Sequence, residues 1–377
     1  MKYISQIKNI KGKIVLLRAD LNSNFVKGKI IRGERIKCAS ETIKFLKKKG
    51  ARVVVIAHQG RPEKDDCVSL RVHARLLSKY TKVRFVKGLF DKKIELEIKN
   101  LKNGEAILLE NLRKFKEEYS SSGGKFVKNL SFWCDIYVND AFSNSHRGHA
   151  SMVGFAKKMK SYAGLLLEKE LNALKKIHLG KTLYILGGAK PEDCLILLGR
   201  NKVLGGGLFG QMCLVAREFK FGAQEKYLKK TIKDFDKIKK KLKPKLRDII
   251  LPVDFGVKIN RKRKNLELAD FPSRNEIFDI GPKTRKIFLS EIKKAKSIYM
   301  KGPVGDFSNR GFEKGTFEIL RAISKSRAFS LIGGGHLSDA LRASKISEKK
   351  FGHVSLSGGA LLKFIVGEKL PGIEVLK

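Results

Sequence analysis

The chain has 377 residues, 81 of them Lys or Arg against 37 Asp or Glu, for a formal charge of +44. That length is too great for one ordinary domain and suits two lobes, each burying its own core. The sequence contains no apolar run of about 18 residues and no signal-peptide pattern, which argues against a membrane or secreted protein. Its five cysteines (Cys38, Cys67, Cys134, Cys194, Cys213) show neither a CxxC pair nor a zinc spacing, so a cytoplasmic protein with reduced thiols is expected.

In chain order, the first 150 residues alternate short apolar runs with helical stretches. KIVLLRADLNSNF (13–25) ends in Arg18, Asp20 and Asn22, and VVVIAHQGRP (53–62) ends in His58, Gln59, Gly60 and Arg61. AILLENLRKFKEE (106–118) carries Glu110, Asn111 and Arg113. YVNDAFSNSHRGHAS (137–151) carries Asn139, Asp140, Ser143, His146, Arg147 and His149. Runs of this kind, bounded by turn residues, are those of parallel strands buried on both faces. The stretch 34–50 between the first two reads as a helix closed by Gly50. In a doubly wound sheet the four strand ends converge on one crevice. Arg35, His58, Arg61, Arg113 and Arg147 are therefore expected around one small anionic ligand, because guanidinium donors match phosphate and carboxylate oxygens in pairs. The bland alternative is scattered surface arginines on a very basic protein.

SYAGLLLEKELNALKKIH (161–178) has helical apolar spacing and reads as a connecting helix. After it, apolar strands repeatedly break at glycines: TLYILGGAK (182–190), NKVLGGGLFG (201–210), SIYMKGPVGDF (297–307), AFSLIGGGH (328–336) and SLSGGA (355–360). Gly187 and Gly188 allow close approach of backbone N–H groups to phosphate, and Lys190 supplies a charge. Such turns suit a nucleotide lying across the strand ends of a second parallel sheet, although ordinary βα turns are also glycine-rich. No P-loop, GxSxG elbow or Cys–His nucleophile pattern occurs.

The set RADLN, HQGRP, LLENLR and VNDAF…HRGHAS, continued colinearly by AGLLLEKEL, LGGAKPEDC, GPVGDF, LIGGGH and SLSGGA, resembles the phosphoglycerate kinase family. GGGLFGQMCLVA, VDFGV, FDIGPKT and His336 after three glycines resemble its archaeal branch. The resemblance implies an α/β fold of two Rossmann-like parallel-sheet domains. Residues 1–160 would bind 3-phosphoglycerate, with the tail of about 366–377 packing back on them. Residues 161–178 would form the linking helix, and 179–365 would bind nucleotide. It implies phosphoryl transfer between ATP and the carboxylate of 3-phosphoglycerate, with Mg2+ and hinge closure. Asp20, Asn22, Arg35, His58, Arg61, Arg113, His146 and Arg147 would hold the phosphoglycerate. Gly187, Gly188, Ala189, Lys190, Gly206, Gly207, Gly302, Pro303, Ser308, Gly333, Gly334, Gly335, His336 and Leu337 would hold the nucleotide. Arg35 and Lys190, with helix starts at Gly335 and Gly358, would act on the transferring group.

Departures from the family pattern fall in the nucleotide half. Lys301 stands where the family has asparagine, Ser308 where it has a ribose-binding glutamate, Cys194 where many members have lysine, and SLSGGA where STGGGA is usual. His336 occupies a position that is often a metal-holding aspartate, which leaves Asp193 and Asp339 as candidate metal ligands. The charge of +44 exceeds what this chemistry needs. The lysines of 229–248 and of INRKRKN (259–265) read as helical surface. A catalytically weak or inactive relative that binds phosphoglycerate or polyanions such as nucleic acid, through nonspecific phosphate contacts, is the alternative function. A solvated lysine-rich surface is favoured, because no nucleic-acid module accompanies the charge.

Overall fold

The computed structural model describes residues 1–177, 181–199 and 201–377. Its chain forms two compact units, Met1–Asn172 with Gly367–Lys377, and Ala173–Val366.

The first unit is built on six parallel strands. In chain order its strands are β1 (Ile14–Ala19), a small antiparallel pair β2 (Phe25–Val26) and β3 (Lys29–Ile30), β4 (Arg52–Ile56), β5 (Arg84–Phe85), β6 (Ala106–Leu108), β7 (Ile136–Asp140) and β8 (Lys160–Ala163). The sheet order is β5-β6-β4-β1-β7-β8, with every pairing parallel. Burial on both faces explains the apolar stretches Ile14–Leu17 of β1, Val53–Ile56 of β4 and Ile136–Val138 of β7. The helix Glu34–Lys48 lays Ile36, Ile43 and Leu46 on the sheet beside Val15, Leu17, Val53 and Val55. It ends before Gly50, whose φ of +76° reverses the chain into β4. The chain leaves β1 toward β4 on one side and enters β7 on the other. The carboxyl ends of β1 and β7 therefore flank the topological switch point, where α/β sheets open a crevice.

The second unit contains β9 (Leu183–Leu186), β10 (Val203–Gly205), β11 (Ile249–Ile250), β12 (Asp254–Ile259), β13 (Lys262–Glu267), β14 (Ile277–Ile280), β15 (Ser297–Lys301), β16 (Phe329–Gly333) and β17 (His353–Ser355). Six of them form a parallel sheet ordered β11-β10-β9-β15-β16-β17, with its switch point between β9 and β15. Ile185, Ile298, Met300 and Ile332 from this sheet pack with Phe288, Ile292, Leu320 and Leu337 from the covering helices. The expected class, two doubly wound α/β sheets, is the one observed.

Two local expectations need correction. Residues 161–163 are not helical: they belong to β8 (Lys160–Ala163) at the sheet edge, and the helix runs Leu165–Leu174. Gly164 makes the break, since a Cβ there would lie 2.3 Å from Asp140 Oδ1, and that carboxylate accepts from the N–H groups of Leu166 and Leu167. His178, the expected end of the linking helix, and Leu179, the expected start of the next domain, lie outside the described residues. The second correction concerns INRKRKN, which is a β-hairpin. Asn260 and Arg261 both take positive φ (48° and 62°) and turn β12 into β13, so the lysines line a strand, not a helix. With β14 these strands make an antiparallel three-stranded sheet that was not anticipated.

Candidate functional site

In the first unit, the carboxyl ends of β6, β4, β1 and β7 lie side by side and carry the cationic residues read from the sequence. Asp20, just past β1, is buried and holds two neighbouring side chains. Its carboxylate accepts from Arg35 Nη1 at 3.3 Å and from Ser143 Oγ at 2.6 Å. Asn22 Oδ1 accepts from the Gly60 N–H at 2.9 Å, tying the loop after β1 to the loop after β4. Arg113 is buried and donates to the Gly60 carbonyl. Arg61 is exposed, while His146 and Arg147 are partly buried. Arg147 Nε is shut off from solvent with no hydrogen-bond partner among the described residues.

His58 sits at the centre. It is buried, and its Nδ1 lies 3.0 Å from Arg18 Nη2. Burial pushes its pKa well below the usual histidine range, and the charges of Arg18, Arg113, Arg35 and Arg147 push it further. A neutral imidazole accepting from Arg18 at Nδ1 carries its proton on Nε2, which leaves Nε2 a donor. Four guanidinium groups around one neutral histidine, with Asp20 the nearby carboxylate, form a strong anion trap.

Several contributors are absent from the set read from sequence. Arg18 is 1% exposed; it also donates from Nε to Ser151 Oγ at 2.9 Å, and Ser151 Oγ donates to Glu118 Oε1 at 2.7 Å. Glu118 thus balances a buried arginine through a hydroxyl. Asn111, fully buried, binds the backbone of Gln59, Val68 and Arg113 and so fixes both loops that carry His58 and Arg113. A lone charged residue inside the apolar run of β1 was the available signal for Arg18. Glu118 and Ser151 gave none.

In the second unit, the glycines at the ends of β9, β10 and β15 stack backbone on backbone. Gly188 N–H donates to the Pro303 carbonyl at 2.7 Å, and Gly207 N–H to the Val304 carbonyl at 2.8 Å. A Cβ on Gly187 would lie 2.2 Å from the Pro303 carbonyl oxygen, so only glycine fits there. Gly188, Ala189, Gly207, Pro303, Ser308 and His336 line one cavity of ≈ 390 Å³. Gly187, Gly206 and Gly302 are not among its lining residues, each preceding one that is. Lys190 is exposed beside Ala189 and makes no ion pair among the described residues. Gly333 ends β16, and Gly334, at φ +108°, caps the helix Gly335–Ala343. Leu337 on that helix packs its side chain into the core, which leaves only its backbone for any ligand. Gly358 caps the short helix Gly359–Ile365.

The sequence profile of the phosphoglycerate kinase family matches residues 4–368. Among curated proteins, phosphoglycerate kinases from Methanopyrus kandleri and Methanothermus fervidus are 36% and 38% identical. Each alignment covers 97% of this chain, and 95% and 94% of the respective relative. The chain belongs to the phosphoglycerate kinase family. Family members are phosphotransferases, and so is this chain. The crystal structure of phosphoglycerate kinase from Pyrococcus horikoshii superposes with a TM-score of 0.89 at 34% identity, covering 100% of this chain and 98% of that one.

Against the family pattern, the altered positions have definite surroundings. Lys301, ending β15 and largely buried, places Nζ 3.3 Å from Asp193 Oδ2. Ser308 Oγ donates to Asp306 Oδ1 at 2.5 Å, closing a turn at the cavity edge. Ser357 is buried with its hydroxyl unsatisfied among the described residues. Cys194 is fully buried, and that burial pushes its thiol up to about 12, so it is no nucleophile. All five cysteines are free.

Proposed function

We propose that the protein transfers the γ-phosphoryl group of ATP reversibly to the carboxylate of 3-phosphoglycerate, giving 1,3-bisphosphoglycerate and ADP. The observation that carries this reading is the guanidinium cluster around neutral His58, which suits a small ligand bearing both phosphate and carboxylate. Asp20, Asn22, Arg35, His58, Arg61, Arg113, His146 and Arg147 would bind the phosphoglycerate. The glycine-walled cavity of the second unit would take the nucleotide.

A carboxylate acceptor is ionised at neutral pH, so no general base is needed. What remains is alignment and stabilisation of charge on a loose, in-line phosphoryl group. Arg35 would approach that group from the phosphoglycerate side, and Lys190, which makes no ion pair among the described residues, from the nucleotide side. The N-terminus of the helix Gly335–Ala343 would add its positive dipole end, and Gly358 would offer backbone N–H groups. The two ligands bind separate units and have to meet, so a closing motion that also excludes water is part of the proposal.

Mg2+ is proposed to arrive with the nucleotide. No group of three or more His, Cys, Asp or Glu capable of caging a metal occurs among the described residues. That fits an ion held mainly by phosphates and water with one carboxylate. Asp193, whose partner is Lys301, and Asp339, paired with Arg342 at 3.1 Å, are the candidates for it. Bound there, the ion would neutralise charge on the phosphates. A cytoplasmic location belongs to the same reading; no helix among the described residues is long and apolar enough to cross a membrane. The lysine excess has no role in this proposal, and nucleic-acid binding is not part of it.

The test is a coupled assay with 3-phosphoglycerate, ATP and Mg2+. Turnover by the wild type and its loss in Arg35→Ala are expected. A folded wild type that binds 3-phosphoglycerate yet turns over no nucleotide would overturn the proposal.

A further inference from the structure

The cavity of the second unit contains a polar chain whose direction is fixed by the backbone. The N–H of Ile277, in β14, donates to Gln224 Oε1 at 2.7 Å. Gln224 Nε2 in turn donates to Gln211 Oε1 at 2.7 Å. A backbone N–H can only donate, so Gln224 has to present its oxygen to Ile277 and its NH2 group to Gln211. Gln211 is then forced to use its own oxygen inward. Its NH2 group is the end of the chain.

That NH2 group makes no hydrogen bond among the described residues, yet it is not sealed off in the interior. Gln211 and Gln224 both line the ≈ 390 Å³ cavity, together with Leu208, Tyr227, Ile277 and Phe278. Gln224 is 0% exposed and Gln211 4%, so both amides are held where an alternative rotamer has little room. Glu276, Asp306, Ser308 and His336 also line the cavity, and among its polar groups the Gln211 amide is the one whose donor end is fixed by a backbone-anchored chain. Flat apolar walls with one directed polar group are how small-molecule sites fix orientation.

We infer that Gln211 reads the nucleotide base, donating one hydrogen bond from Nε2 to a ring acceptor of a purine, and that Gln224 is the positioning residue that sets this polarity. The inference rests on the reading that this cavity takes the nucleotide. Adenine and guanine both carry acceptors on the ring edge, at N3 and N7 in each case. One donor therefore accepts either base, and the protein uses ATP and GTP with KM values within about tenfold of each other, the range one neutral hydrogen bond spans.

The experiment compares wild type, Gln211→Met and Gln224→Glu. Gln211→Met keeps length and apolar contact but removes the donor. Gln224→Glu still accepts from Ile277 but offers Gln211 a second oxygen. Gln211 then turns its NH2 group inward and shows its oxygen to the cavity. Steady-state KM and kcat are measured for ATP and GTP, and binding of inorganic tripolyphosphate, which has no base, is measured by calorimetry. The expected result is a rise in KM of about three- to tenfold in both variants, with kcat within twofold and tripolyphosphate affinity unchanged. KM values within twofold of wild type in both variants, with folding intact by circular dichroism, overturn the role of Gln211. A wild type that binds tripolyphosphate as tightly as ATP overturns the reading of the cavity as a base site.

Discussion

Asn111 offers the most direct test of how the first unit holds its anion site. Its side chain is fully buried and makes four hydrogen bonds to backbone. Oδ1 accepts from the N–H groups of Gln59 and Arg113, each at 3.1 Å, and Nδ2 donates to the carbonyls of Gln59 at 2.9 Å and Val68 at 2.8 Å. At roughly 1 kcal/mol net for each bond, Asn111→Ala is expected to cost about 4 kcal/mol. That is a large share of the ~5–15 kcal/mol by which a domain is stable. Trp133 is the single tryptophan and lies in the first unit, so its fluorescence during urea unfolding reports that unit. The loops bearing His58 and Arg113 lose their common anchor, so calorimetry should show 3-phosphoglycerate affinity falling at least tenfold while ATP affinity is kept. A Trp133 transition shifted by less than about 1 kcal/mol would refute the reasoning, as would equal losses for both ligands.

Other perturbations address the second unit and the titrating groups. Gly187→Ala places a methyl group against the Pro303 carbonyl oxygen, so β9 and β15 have to part; ATP affinity should drop more than tenfold with 3-phosphoglycerate binding retained. His73 is fully buried against Gln59, and burial lowers its pKa from 6.5 to about 4. Its neutral form therefore contributes stability that is present above pH 6.5 and lost as pH falls through about 4. Relative to His73→Gln, the wild type should lose up to about 3 kcal/mol over that window in pH-dependent unfolding. Asp140 runs the other way, since burial raises its pKa to about 7 despite bonds from Thr42, Leu167 and Leu166. Its stabilising contribution is complete below pH 3.8 and disappears as pH rises through 7, so Asp140→Asn should flatten that part of the profile. A slope unchanged by the substitution would show that Asp140 is ionised throughout.

Much of the architecture is already written in the residue pattern. Parallel strands buried on both faces are mostly apolar, so β1, β4, β7, β9, β15 and β16 stand out as runs, and their carboxyl ends are marked by polar or glycine residues. Arg35, His58, Arg113 and Gly187 stand out as candidates for that reason: each follows a strand or opens the next helix within a few residues. The hairpin of β12 and β13 was misread as helix because its lysines mask the alternation and its turn relies on Asn260 and Arg261 in a left-handed conformation. Which groups share a hydrogen bond depends on the packing of distant segments. Arg18 meets Ser151 across 133 residues and His58 across 40, and Gln224 meets Ile277 across 53. A local pattern fixes which face of a strand or helix a side chain occupies. The partner that sets its proton, its polarity or its charge comes from whichever distant element the packed core brings alongside.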